Sequence, residues 1–172
     1  PFYHSSDILE LKAIPYEIYV PFVVKHFEKR NKKISVENVD WVYTLFKGHT
    51  YYIQRTFNEA FADTMEGEEC SKEIIASAID NMINASDTIF REILSNIPEK
   101  QKPLLYAIAR DGEAERITSS EFIKKHSLAS ASSVQAAAKK LLERDIITQI
   151  NKKYSVTDKL FAMWINRIYG VV

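Results

Sequence analysis

Apolar residues recur at three- and four-residue intervals along most of this chain, and the places where that rhythm fails mark its joints. In "PYEIYVPFVVKHFEKRNKK", Pro15 suits a first helical turn, and Ile18, Phe22 and Phe27 fall near one face. Pro21 costs the bond to the Glu17 carbonyl, so a late helix start or a kink is expected there. "SVENVDWVYTLFKGH" follows, with Ser35 as N-cap, Val36, Val39, Val42 or Tyr43, and Phe46 as the stripe, and Gly48 placed to end the helix. Thr50 can cap "YYIQRTFNEAFADTM", whose stripe is Ile53, Phe57, Ala60 and Phe61. After the acidic turn "EGEE", Ile75, Ile79, Met82, Ser86, Ile89 and Ile93 keep register, which predicts one helix of about seven turns. The opening "PFYHSSDILELKAI" shows no helical period and reads as extended.

Pro98 breaks this pattern, and a domain boundary is expected there, giving 1–96 and 97–172. Leu104, Leu105, Ile108 and Ala109 face inward on a short helix closed by Gly112. "TSSEFIKKHSL" offers a Thr or Ser cap, with Glu121 three residues after Thr118 at capping-box spacing, ahead of Phe122 and Ile123. A third helix, "SASSVQAAAKKLLERD", turns Val134, Ala137 or Ala138, Leu141 and Leu142 inward. "IITQI" and "YSV" read as strands joined by "NKK", and Asp158 caps a last helix, "KLFAMWINRIY". Three helices, a hairpin and a closing helix are the order of a winged helix-turn-helix. The expected fold class is therefore mainly α: a helical bundle, then a winged helix with one small β-hairpin.

Charge sharpens this division. Residues 1–96 hold 10 Lys/Arg against 15 Asp/Glu, and residues 97–172 hold 13 against 8, within a chain of zero formal net charge. The basic half is where a polyanion would bind, although the two halves could equally attract one another or a neighbouring domain. A single cysteine, Cys70, cannot form an internal disulfide, which fits a reducing, cytoplasmic setting. There is no signal segment and no long apolar run, and a first residue of Pro1 rather than Met suggests a piece of something longer.

Little in the chain points to catalysis. His4, His26, His49 and His126 are scattered, with no H-E-x-x-H and no paired-cysteine spacing, so no enzyme activity and no metal are expected. Glu66 to Glu69 reads as a solvated turn. Nucleic-acid contact is a better prospect. A winged fold presents the N-terminal and outward residues of its third helix to base edges and phosphates, here Ser132, Ser133, Gln135 and Lys139. Gln suits a bidentate adenine contact, and Ser suits base or phosphate. At the wing, Asn151, Lys152 and Lys153 would follow the backbone or minor groove. The same helix carries "AAA" and no arginine before Arg144, so a protein-facing role is an equal alternative.

"PFYHSSDILEL", "FKGHTYYIQRTF", "IARDG", "SASSVQAAAKKLLERDII" and "YSVTDKLFAMWI", taken in order, resemble the C-terminal half of a family of prokaryotic AAA+ or signal-transduction P-loop ATPases. The resemblance covers nearly the full chain. It implies a P-loop core, a helical lid and a winged helix, of which this chain would carry a remnant of the core at 1–14, the lid and the winged helix. Gly48, His49 and Thr50 fall where the family has a Gly-x-Pro-like turn opening a lid helix toward nucleotide; here Thr50 replaces the proline and no arginine stands beside it. Gly48, Gly67, Gly112 and Gly170 cannot compose G-x-x-x-x-G-K-[ST], so ATP and magnesium would belong to the core, outside this chain. The implied function is regulatory, nucleotide state moving a winged helix that contacts DNA or a protein partner, with no membrane involved. The alternative is a freestanding transcriptional regulator with an N-terminal dimerisation or effector domain.

Overall fold

The computed structural model describes residues 14–170, and the opening segment expected to be extended lies outside them. Among the described residues, nine helices and three strands form two compact units that divide between Asp80 and Asn81. No helix is long and apolar enough to cross a membrane.

The first unit is built from α1 (Tyr16–Glu28), α2 (Val36–Leu45), α3 (Thr50–Asp63) and the start of α4 (Lys72–Ala85). α1 runs through Pro21, and it buries Tyr19, Val20, Val23 and Phe27. Ile18 and Phe22, assigned to the inner face from sequence, are instead 63% and 61% exposed. The face is set by ring packing: Tyr19 lies against Tyr43 and Phe57, and Phe27 meets Phe61 edge-on at 5.1 Å. Ser35 caps α2 as expected, accepting from the Asn38 amide at 3.1 Å. That helix ends through Lys47 and Gly48, both left-handed, with the Gly48 amide donating to the Tyr43 carbonyl at 3.0 Å. α3 begins one residue earlier than its expected cap implies: His49 is the N-cap, without a side-chain bond, and Thr50 is already helical.

The single long helix expected over 72–97 is two helices, α4 and α5 (Asp87–Ser95). Ser86 separates them. Its hydroxyl donates back to the Met82 carbonyl at 2.9 Å, and its amide is shared between the Met82 and Ile83 carbonyls, both at 3.2 Å, so the turn tightens there. The buried stripe then moves by one position, from Ile75, Ile79 and Met82 to Phe90, Leu94 and Ile97, leaving Ile89 exposed.

α5 belongs to the second compact unit, and the division between the units falls inside α4. The reason is aromatic packing: Phe90 lies 5.2 Å from Phe161 and 5.9 Å from Trp164. The Trp164 indole donates to Asp87 at 2.8 Å. The Arg91 bond first, and this indole second, hold the Asp87 carboxyl below its ordinary pKa.

The rest of this unit is α6 (Lys102–Asp111), β1 (Ala114–Glu115), α7 (Ser120–Lys125), α8 (Ala131–Glu143), β2 (Ile147–Ile150), β3 (Lys153–Val156) and α9 (Lys159–Tyr169). Leu104, Leu105, Ile108 and Ala109 are buried as expected, with Val134, Ala137, Ala138 and Leu141 of α8 and Leu160, Phe161, Trp164 and Ile165 of α9. α7 and α8 each end in a left-handed residue, Ser127 and Asp145. Of the Thr and Ser caps expected for α7, Ser119 is the one used, accepting from the Phe122 amide at 3.2 Å. Asp158 caps α9, accepting from Leu160 and Phe161.

The sheet has three strands in the order β1-β3-β2, one more than the expected hairpin. Two residues of β1 suffice because β3 is already held by β2: Ala114 faces Tyr154, and Glu115 faces Lys153. β2 and β3 join through Asn151 and Lys152, both left-handed, as a tight two-residue turn requires. Lys153 is therefore a strand residue and not part of the turn.

Candidate nucleic-acid interface

α8, the hairpin and the segment leading into α7 enclose an open groove of roughly 890 Å³ in the second unit. Ala131, Ser132, Gln135, Ala138, Lys139, Leu142 and Glu143 form its α8 wall. Gln149, Lys152 and Tyr154 come from the hairpin, and Arg116, Ile117 and Thr118 from the approach to α7. Of the sequence-derived candidates, Ser132, Gln135, Lys139 and Lys152 thus share one concave surface. The "AAA" that argues against contact splits between two roles: Ala137 and Ala138 pack into the core, while Ala136 is exposed.

Ser133 and Lys153 stand outside this lining. Ser133 is engaged at the helix start, where the Ser130 hydroxyl accepts from the Ser133 amide at 3.2 Å and donates to its hydroxyl at 3.0 Å. Lys153 is neutralised by two carboxylates, Glu115 at 3.2 Å and Glu113 at 3.5 Å. The Glu115 bond, then the charges of both carboxylates, raise the Lys153 pKa. Among the described residues, Arg116, Lys139 and Lys152 form no salt bridge, whereas Glu143 is held by Lys140 at 2.8 Å. The unneutralised charge of the groove is accordingly positive.

Sequence reasoning misses Arg116, Thr118, Gln149 and Tyr154. Gln149 and Tyr154 are register partners, so finding one on this face implies the other. Arg116 and Thr118 carry no local signal, since they reach the groove only through the β1 pairing.

Gly48, His49 and Thr50 lie in the first unit. Gly48 is buried and ends α2, His49 is exposed with its ring 4.7 Å from that of Tyr52, and Thr50 opens α3. Among the described residues there is no cluster of His, Cys, Asp and Glu that could hold a metal ion.

Comparison with known proteins agrees with this architecture. Residues 88–167 match the family model described as a probable winged helix domain. That part of the chain is a winged helix. The match begins in α5, within the unit that aromatic packing defines. A Walker-type ATPase of Pyrococcus abyssi shares the fold over 90% of this chain, with a TM-score of 0.64 and 13% identity. This chain spans 42% of that protein. No curated protein matches the sequence significantly.

Proposed function

We propose that this chain is the regulatory portion of a P-loop ATPase, and that its winged helix contacts duplex DNA through the α8 groove. The observation that carries the DNA reading is the convergence of three cations without salt-bridge partners, Arg116, Lys139 and Lys152, with the hydrogen-bonding side chains Ser132, Gln135 and Gln149 on one concave surface. Cations supply affinity for phosphate, and neutral polar groups on the exposed face of α8 suit base edges in a major groove. The N-terminus of α8 adds its free amides and the positive end of its dipole on the same wall.

The ATPase reading is supported by the shared fold with the Walker-type ATPase over most of this chain. On this reading nucleotide and magnesium are bound by a core outside these 172 residues, and the chain itself performs no chemistry. The first unit then acts as the lid, transmitting nucleotide state to the winged helix by rigid-body motion.

The test is a salt-titrated binding assay with random-sequence duplex DNA, run with the unsubstituted chain and with Lys152→Glu. Steeply salt-dependent binding that Lys152→Glu weakens is expected. Absence of binding at low salt would turn the groove into a surface for another ligand.

A further inference from the structure

We infer that Arg116, together with Lys152, forms a two-cation clamp on the phosphate backbone at the open end of the groove, an inference that rests on the DNA reading above. The antiparallel pairing places Ala114 opposite Tyr154 and Glu115 opposite Lys153. Arg116 follows the last paired residue of β1 and Lys152 precedes the first paired residue of β3, and both line the groove. The side chains are sorted by charge. Glu115 and Lys153 satisfy one another at 3.2 Å, whereas neither Arg116 nor Lys152 forms a salt bridge among the described residues.

The backbone is also unusual at both positions. Arg116 has φ 48° and Lys152 has φ 65°, a region that residues bearing a Cβ seldom adopt. Lys152 is explained by its tight turn. Arg116 ends no helix; it is the first residue of a turn in which its carbonyl accepts from the Ser119 amide at 2.7 Å. A costly conformation that sends a long cationic side chain toward an open groove, with no carboxylate to receive it, points to a ligand that does. The guanidinium is planar and forked, suited to bidentate contact with a phosphate, and the Lys152 ammonium adds a mobile point charge on the same groove.

The experiment is measurement of the salt dependence of random-duplex binding by the full chain and by Arg116→Gln, Arg116→Lys and Lys139→Gln. For every phosphate that a variant leaves unneutralised, the slope of log K against log salt should fall by about 0.9. Arg116→Gln is expected to show that reduction with an unchanged thermal melt, and Arg116→Lys to keep the slope while binding more weakly. A slope unaltered in Arg116→Gln but reduced in Lys139→Gln overturns the clamp and leaves the groove reading standing. Failure of the unsubstituted chain to bind at low salt overturns both.

Discussion

The Lys153 ammonium lies 3.2 Å from the carboxylate of Glu115, its register partner between β1 and β3. This pairing divides two adjacent lysines of the wing into one already compensated and one available to a polyanion. Lys152→Gln should therefore reduce the slope of log K against log salt by about 0.9, and Lys153→Gln should leave that slope unchanged. Equal effects of the two substitutions would mean that Glu113 and Glu115 release Lys153 when DNA arrives.

Asp111, at the end of α6, binds the Lys125 ammonium at 2.8 Å and the His126 ring at 3.0 Å, joining α6 to α7. Burial raises the Asp111 carboxyl, but the bonds from Lys125 and His126 together outweigh it and hold its pKa below the ordinary value. A depressed folded pKa contributes stability above the unfolded value, near 3.9, and loses it as pH falls through the folded value. Asp111→Asn should cost about 2 kcal/mol at neutral pH. In urea melts the difference from the unsubstituted chain should shrink below about pH 4.

The displaced stripe in α5 gives a sharp contrast between neighbours. Phe90 is 4% exposed and Ile89 is 59% exposed. Phe90→Ala should lower stability by about 3 to 5 kcal/mol, and Ile89→Ser by less than about 0.5. Comparable costs at the two positions would restore a continuous helix through Ser86.

Trp164 anchors the same packing. It is 1% exposed, stacks near Phe161 and donates to Asp87. Trp164→Ala should cost about 3 to 5 kcal/mol in denaturant melts. Trp164→Phe, which keeps an aromatic ring but removes the N–H, should cost clearly less.

Local features of this fold are legible because they rest on neighbouring residues. The caps Ser35 and Asp158 act within three positions, and the inner faces of α6 and α8 follow simple periodicity. What escapes depends on distant partners. β1 is two residues long and exists only because β3 offers an edge, so Arg116 cannot be placed from its own neighbourhood. Ser86 fits the apolar rhythm by position, while its amide is shared between the Met82 and Ile83 carbonyls, a local tightening that the rhythm does not signal. Ile18 and Phe22 have the spacing of a core face, yet Tyr19 and Val23 win the interior because Tyr43 and Phe57 stand opposite Tyr19. The candidate site is half visible: α8 points to Ser132, Gln135 and Lys139, and the hairpin to Lys152. The β1 approach that completes the groove is not.

The central claim, that the α8 groove is the DNA interface, is tested most directly by amide shift mapping of the full chain titrated with duplex DNA at low salt. The largest changes should cluster at Arg116, Ser132, Gln135, Lys139, Gln149 and Lys152, and they should fade as salt is raised. Changes confined to residues outside the groove, or no changes at all, would contradict it.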